Sequence, residues 1–201
     1  MAKICWTAIF RGLIGVGLVA APTMASTQTR PIQFSKMVLD PDAAPITQRV
    51  KVGTICLLSG TPLNFGTHER TLNTERYERI FNQTLSDLHF AVVAKSADMF
   101  EGEGRGPQPE YLIGGKIRPA SVNICDSVNG QKGSISISVE WQVFDRNKRD
   151  VVETIVTEGT GQLPKFNRDG LNVMLDTAFK ESLTALVDKG VLQKYLGVPE
   201  T

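Results

Sequence analysis

The segment that most constrains the fold is residues 133–145, in which apolar and polar side chains alternate. The apolar series is Ile135, Ile137, Val139, Trp141 and Val143, and the residues between them are polar up to Gln142. Strict alternation over this length is typical of a β-strand with one face on a hydrophobic core and the other in water. We therefore predict a strand whose apolar row packs in the core, with Trp141 buried, and whose polar row stays solvated.

The segments on either side of this strand predict an antiparallel meander. Asn129-Gly130 is a favoured hairpin turn, and a second polar turn over residues 146–150 would return the chain as a strand over residues 151–158. Upstream, residues 111–117 predict another strand. Its internal Gly114-Gly115 pair indicates a bulge or the close approach of another backbone.

Two segments show helical spacing of apolar residues. The first begins at Asn73 or Thr74 and runs to about His89, with Glu75 in its first turn. The second, capped by Asn167 or Asp169, carries one apolar stripe and ends at Gly190; the stripe is Leu171, Met174, Leu175, Ala178, Phe179, Leu183, Leu186 and Val187. The element order predicts an α+β fold, a two-layer sandwich in which two amphipathic helices cover one face of a mixed sheet with an antiparallel C-terminal meander.

The first part of the predicted domain is less regular. Residues 26–48 are expected to form an extended arm, with at most a short edge strand around residues 33–39. Residues 49–59 are apolar on both faces, which predicts a central strand covered on both sides. Residues 60–72 and 101–110 are expected to be loops, with a short strand over residues 90–95 between them.

The N-terminus predicts export from the cytoplasm. Lys3 and Arg11 precede ten apolar residues, and Ala25 and Thr23 are small residues at the first and third positions before a cut after about Ala25, which is typical of a cleaved signal peptide. Ten apolar residues are too few to span a bilayer, which needs about 20, although a retained anchor stays open as an alternative. We predict a signal peptide over residues 1–25, the arm over residues 26–48, a single domain over residues 49–201 and a periplasmic or secreted location.

The charge of the exported chain excludes one class of partner. The whole chain has 22 basic and 21 acidic residues, and losing Lys3 and Arg11 leaves 20 basic residues, a net charge of −1. A nucleic-acid-binding protein would carry a surplus of basic residues. We therefore expect no nucleic-acid partner and, after cleavage, no stable membrane span.

The cysteines predict a disulfide and exclude a lipid anchor. Cys5 precedes the apolar run, so it is not placed for lipid modification. Cys56 and Cys125 remain, and an even pair in an oxidising compartment is typical of a disulfide. Two separate buried thiols and one reactive cysteine are the alternatives. Because no histidine lies near either cysteine in sequence, we predict no metal site.

The sequence offers little catalytic chemistry. His68 and His89 are the only histidines, and the chain has no nucleophile turn of the G-x-S-x-G type. Gly102, Gly104 and Gly106 imitate a phosphate-binding loop, but acidic residues and prolines accompany them. We predict no catalytic residue and no cofactor, with an exported hydrolase as the less favoured hypothesis.

The strand containing Gly114-Gly115, the pattern SISVEWQVFDRNKRDVVETIVTEGTG and the closing helix resemble a periplasmic superfamily. It includes the curli secretion protein CsgG, the amino-terminal domain of TolB, the penicillin-binding-protein activator LpoB and auxiliary lipoproteins of envelope transporters. The chain departs from CsgG and LpoB because it lacks a lipid-modified cysteine, and it has no evident strand pairs for building a pore. The resemblance implies a non-catalytic interaction or assembly module with a protein partner in the cell envelope.

Two surfaces are candidates for partner binding. The first is the polar row of the predicted strand over residues 133–145, and the second is the loop over residues 61–70. The candidate residues are Ser136, Ser138, Glu140, Gln142, Phe144, Asn64, Phe65, His68 and Arg70. An exposed sheet edge could also take a partner strand by β-augmentation. The alternative function is a periplasmic protein that binds a small ligand or glycan through the loop.

Overall fold

The computed structural model describes residues 30–40, 47–64, 74–94 and 108–197. These residues form seven strands and three helices. The strands are β1 (Ile32–Leu39), β2 (Thr47–Val52), β3 (Leu58–Asn64), β4 (Val92–Val93), β5 (Tyr111–Ser127), β6 (Gly130–Asp145) and β7 (Asp150–Asn167). The helices are α1 (Thr74–Asp87), α2 (Gly170–Asp188) and α3 (Val191–Leu196). The predicted α+β class, with a mixed sheet and helices on one side, is confirmed.

β5 is the strand that joins the two halves of the sheet. On one side it pairs antiparallel with β6 along its whole length, with an irregularity between Pro119 and Ser121. On the other side its first half pairs in parallel with β1, and its end pairs in parallel with β2, where Lys51 lies opposite Cys125. β3 pairs with the outer side of β2, and β4 pairs with the outer side of β1. β7 pairs with the outer side of β6.

The predicted meander of β5, β6 and β7 is confirmed. The chain turns at Asn129-Gly130, where Gly130 adopts a φ of 101°, and it turns again before Asp150. β7 is longer than predicted, because it continues from residue 158 to Asn167. The three strands therefore form a long ribbon in which β6 is the middle strand.

The apolar row of β6 packs against the helices as predicted. Trp141 is 1% exposed, and its ring centroid lies 5.5 Å from that of Phe179 in α2. On the same layer, the Phe34 ring of β1 packs against Phe81 of α1 at 5.1 Å, and Tyr77 of α1 meets Phe179 edge-on at 4.7 Å. Both long helices therefore cover the same face of the sheet.

The backbone of α2 lies directly on β7. A Cβ atom at Gly159 would overlap the Ala178 carbonyl oxygen, and one at Gly161 would overlap the Met174 carbonyl oxygen. Only glycine leaves room for such contact between a strand and a helix backbone. The two glycines thus set the distance between α2 and the sheet.

The C-terminal end of α2 agrees with the prediction, but its N-terminal end does not. Asp169 occupies the N-cap position, but its side chain makes no capping bond to the helix backbone. Instead, Gln131 Oε1 of β6 accepts the Leu171 N–H at 3.1 Å. At the other end, Gly190 adopts the left-handed conformation that the sequence predicts, with a φ of 71°.

The strand predicted around residues 33–39 is present as β1, but its predicted place at an edge of the sheet was wrong. β1 lies inside the sheet, between β5 and β4. The register of β1 shifts between Phe34 and Met37, and both side chains are buried in the core although they are three residues apart. The alternation of apolar and polar residues that marks a strand is therefore interrupted in the sequence. The bulged backbone of β1 also explains Gly114, since a Cβ there would come within 2.9 Å of the Lys36 carbonyl oxygen. The predicted close approach at this glycine is confirmed.

The prediction of one central strand over residues 49–59 was also wrong. β2 ends at Val52, and the chain turns through Gly53 (φ 90°) and Cys56 (φ 56°) before β3 begins at Leu58. Ile55 and Leu57 are consequently exposed. The prediction of a loop over residues 60–72 was wrong for its first five residues, because β3 runs to Asn64; residues 65–73 lie outside the described part of the chain.

Candidate functional site

The face of the sheet opposite the helices is the best-defined candidate site. Ser136, Ser138, Glu140, Gln142 and Phe144 alternate with the buried row of β6 and are all partly exposed. Within the described ranges, α1 and α2 pack on the other face through Phe81 and Phe179. We call this solvated side of β1, β5, β6 and β7 the open face. The structure thus brings five of the nine predicted partner-binding residues together on one surface.

The polar side chains at the centre of the open face bond to one another. The Gln142 side-chain amide donates to Glu140 Oε1 at 2.9 Å, and Lys116 Nζ of β5 lies 3.5 Å from the same oxygen. Further along β6, the hydroxyls of Ser136 and Thr160 share a hydrogen bond of 2.9 Å. One of these contacts lies within β6 and the other two join neighbouring strands, and together they hold the side chains in one arrangement before any partner arrives.

An apolar groove lies beside this polar group. Gly114 leaves a gap on the open face, and the surrounding side chains enclose about 470 Å³. The apolar lining is Val38, Leu112, Phe144 and Val151, and the polar lining includes Lys36, Lys116 and Gln142. Phe144, placed on the wet side from the sequence, therefore forms part of an apolar surface shared by four strands.

The second predicted surface cannot be related to the open face. Asn64 is the last residue of β3, with its backbone opposite Thr47. Phe65, His68 and Arg70 lie outside the described residues. The sequence also missed the groove, because its walls come from β1, β5, β6 and β7 and its floor depends on Gly114 of β5.

The outer edge of β7 is already bonded to side chains of the helical layer. Three bonds reach main-chain groups of this strand: Glu181 Oε2 accepts from Thr160 N at 2.6 Å, Lys189 Nζ donates to the Val156 carbonyl at 2.9 Å, and Tyr195 Oη donates to the Val152 carbonyl at 3.2 Å. An edge strand whose main-chain groups are occupied is a poor template for another strand. This edge therefore does not favour the β-augmentation considered from the sequence.

The shifted pKa values of the described residues belong to packing and ion pairs. Burial raises the pKa of Tyr77 to about 12, and the Asp176 carboxylate acts in the same direction. A hydrogen bond from Lys194 lowers the pKa of Glu153, and the same bond raises the pKa of Lys194. His89 is exposed, with a φ of 65° just after α1. Over the described ranges, no group of three or more His, Cys, Asp or Glu side chains converges as a metal site would require.

Cys56 and Cys125 lie beside each other, as the predicted disulfide requires. Their Cα atoms are 5.5 Å apart, within the usual range for a disulfide, and the structure joins their sulfur atoms. Formation of the bond in the exported protein stays a prediction. Mass spectrometry of unreduced protein distinguishes the bridge from two free thiols by a difference of two hydrogens.

The predicted N-terminal signal peptide lies outside the described residues, so its presence and its cleavage both stay predictions. Among the helices that the structure describes, none has the length and apolar character of a transmembrane helix.

Comparisons with known proteins give weak structural similarities. No protein-family model matches the chain, and no curated protein matches it significantly. Protein XCC0632 from Xanthomonas campestris, described with the family DUF330, is 13% identical over 86% of this chain and 91% of its own, with a TM-score of 0.41. The PelC dodecamer from Paraburkholderia phytofirmans is 13% identical over 78% of this chain and 88% of its own, with a TM-score of 0.37. A minor lipoprotein from Acinetobacter baumannii is 8% identical over 84% of this chain and 96% of its own, with a TM-score of 0.41. At these TM-scores the similarities do not assign the chain to a family, and the CsgG-like resemblance stays a prediction.

Proposed function

We propose that this protein is an exported, non-catalytic interaction module of the bacterial cell envelope that binds a protein partner through its open face. The observation that carries the proposal is the open face itself, where an ordered polar group around Glu140 borders the apolar groove around Phe144. A mixed surface of this kind resembles a protein interface, which combines an apolar centre with a polar rim. The remaining parts of the proposal are export with cleavage near Ala25 and membership of the CsgG-like superfamily.

The size of the open face supports a protein partner. Ten residues of a strand extend about 33 Å, and four strands span about 15 Å between the outer axes, so the face covers roughly 500 Å² before its side-chain relief is counted. A typical stable interface buries about 800 Å² per partner. The open face would therefore supply more than half of such an interface, and a stable partner would also cover roughly 300 Å² around its margins.

The division of the chain is also part of the proposal. We propose a signal peptide over residues 1–25, an arm over residues 26–48 and a domain over residues 49–201. β1 lies within the proposed arm, and it pairs with β5 and contributes Phe34 to the core. The arm would therefore be anchored to the sheet by this strand.

Site-specific photo-crosslinking tests the proposal directly. A photoreactive amino acid is placed at Ser138 on the open face and, in a matched control, at Lys180 on the exposed side of α2. We expect crosslinking in living cells to join the Ser138 variant to one defined envelope protein and to leave the Lys180 variant unlinked. Equal products at both positions, or none at Ser138, would contradict the proposal.

A substitution distinguishes a specific partner from chance proximity. Replacing Glu140 by lysine reverses the charge beside Lys116 on the open face. We expect the Ser138 crosslink to fall about threefold or more, because the substitution breaks the bonds of Glu140 to Lys116 and Gln142 and presents the partner with the opposite charge. An unchanged crosslink would place the partner elsewhere.

The groove favours the alternative of a small ligand or glycan strongly enough to merit its own test. Its volume of about 470 Å³ lies within the range of ligand sites. Thermal-shift screening with sugars and nucleotides would reveal such a ligand. A stabilisation that Gly114→Val abolishes would support the alternative, while the absence of any stabilising compound favours the protein partner.

A further inference from the structure

Two turns lie side by side at the end of the sheet where β5 finishes. One joins β2 to β3 over residues 53–57, and the other joins β5 to β6 over residues 127–130. The Gly53 N–H donates to the Asp126 carbonyl oxygen at 2.9 Å, and Cys56 faces Cys125 with Cα atoms 5.5 Å apart. We call these two joined turns the tip.

The tip carries the most exposed large apolar side chains of the described residues. Val128 is 95% exposed, Leu57 is 76% exposed and Ile55 is 74% exposed, whereas the next, Val156, is 51% exposed. Single exposed apolar residues are ordinary on protein surfaces. Three on two bonded turns form a local apolar projection that no described part of the chain covers.

Basic side chains surround this projection. Lys51 and Lys132 line one cavity of about 470 Å³ together with Cys56 and Cys125, so both basic residues lie next to the tip. Lys132 Nζ also lies 4.4 Å from the centre of the Phe166 ring. The cavity therefore presents positive charge beside exposed apolar groups.

The end of β7 extends the basic region. Asn167 lies opposite Gln131, so the exposed Lys165 and Arg168 on either side of it belong to the same end of the sheet. Among the described residues at this end, four basic side chains stand against two acidic ones, Asp126 and Asp169. The end has a positive balance, although the predicted mature chain as a whole is slightly negative.

We propose that the tip docks the protein on an anionic lipid bilayer. Ile55, Leu57 and Val128 would enter the boundary between headgroups and acyl chains, where apolar surface leaves water. The cations around them would meet lipid phosphates, since each Lys or Arg near an anionic surface contributes to binding. This attachment involves neither the open face nor the proposed protein partner, so each can fail without the other.

The geometry favours a bilayer over a protein at this position. A stable protein interface needs about 800 Å² on each partner with a packed apolar centre. Three side chains at the apices of turns are too few for such a centre. They are sufficient for shallow insertion into a fluid surface that adapts to their shape.

Vesicle flotation measures the proposed docking. The full chain is expressed, and the exported protein is purified, so that every variant shares the same N-terminus. We expect binding to vesicles of equal parts phosphatidylcholine and phosphatidylglycerol to exceed binding to pure phosphatidylcholine by about tenfold or more. Equal binding to both, or no binding to the anionic vesicles, would overturn the proposal.

Two variants assign the binding to the tip. Ile55→Ser combined with Leu57→Ser should weaken binding to anionic vesicles about tenfold or more, because it removes the inserted apolar surface. The matched control, Val156→Ser, removes an exposed valine from β7 and should change binding less than about twofold. Equal losses in both proteins would refute a role for the tip. Circular dichroism confirms that each variant is folded, as expected for exposed positions.

Charge reversal provides the second line of the test. Lys51→Glu combined with Lys132→Glu should weaken binding to anionic vesicles at least about tenfold, and raising the ionic strength to 1 M, where the screening length is about 3 Å, should do the same to the wild type. Binding that withstands both changes would overturn the proposed role of the lysines. Inorganic phosphate at the same ionic strength should compete no better than chloride, and selective competition would indicate a site for free phosphate instead of a bilayer.

Discussion

The hydroxyl of Thr157 is the centre of a buried hydrogen-bond chain, and its removal gives the sharpest test of the packing. Thr157 Oγ1 of β7 accepts the Trp141 Nε1–H at 2.8 Å. It also bonds to Ser182 of α2, whose carbonyl oxygen lies at 2.9 Å and whose hydroxyl lies at 2.7 Å. All three residues are at most 3% exposed. The chain therefore links β6, β7 and α2 where water cannot replace a lost partner.

Thr157→Val keeps the shape of the side chain and deletes this hydroxyl. The Trp141 indole N–H is then buried without an acceptor, which costs about 1–3 kcal/mol of unfolding free energy. The Ser182 hydroxyl loses less, because a serine in a helix can donate to a carbonyl of the preceding turn. We expect a loss of about 2 kcal/mol in urea unfolding, and a melting temperature about 4–8 °C lower for a chain of this size.

A matched control and a double-mutant cycle isolate the hydrogen bond. Thr154→Val makes the same chemical change on the exposed side of β7 and should alter the free energy of unfolding by less than about 0.5 kcal/mol. In a Trp141→Phe background, Thr157→Val should cost about 1 kcal/mol less than in the wild type, because no indole remains to be left unpaired. Equal stability of Thr157→Val and wild type, or a cycle without coupling, would refute the reasoning.

Two further substitutions make separate tests. One tests the contact between α2 and β7, and the other tests how the free energy of unfolding depends on pH in the acid range. Gly161→Ala places a Cβ atom against the Met174 carbonyl oxygen, so urea unfolding should report a loss of at least about 1–3 kcal/mol, whereas the exposed neighbour Gln162→Ala should cost almost nothing. The backbone N–H of Lys148 bonds to the Asp145 carboxylate and holds its pKa below the ordinary 3.8. The stabilisation is therefore fully present above pH 3.8 and is lost as the pH falls through the lower folded pKa. The stability difference between wild type and Asp145→Asn should shrink over that acid range in urea titrations, and a difference that does not vary with pH would contradict the assignment.

The sequence predicted those elements in which the spacing of apolar residues agrees with the side that is buried in the folded protein. β6 alternates without interruption, and the apolar spacing of α2 continues to Val187, so both patterns survive in the structure. β1 was predicted only as an edge strand, because its bulge between Phe34 and Met37 breaks the alternation that would mark a core strand. α3 was missed, since its six residues are too few to establish a helical period.

Residues 49–59 show why apolar character alone was misleading. Ile55 and Leu57 resemble core residues in sequence, but the left-handed backbone at Gly53 and Cys56 turns the chain before either can join the sheet. A glycine followed by Thr54 was a turn signal that the apolar run concealed. The same residues form the tip, so the error in the predicted fold falls on the surface that is now proposed to meet a bilayer.

The open face was predictable only as a row of residues. The alternation of β6 places Ser138 and Glu140 on the solvated side, but it says nothing about the side chains of neighbouring strands. The bond of Glu140 to Lys116 and the groove beside Phe144 depend on the register between β5 and β6. Register is determined by long-range pairing, and a single sequence does not reveal it.

Substitutions on the two faces of β6 should therefore have different effects. Substitutions in the buried row, such as those at Trp141, should act on binding only through loss of the fold. Substitutions at Ser138 or Phe144 can change a contact while the core stays intact. Glu140 is the instructive exception, because its carboxylate joins Lys116 and Gln142 across the open face, so its replacement alters the shape of the surface as well as its charge. A loss of binding at Glu140 with unchanged unfolding free energy would therefore show that a partner recognises the open face itself and that the loss does not come from the core.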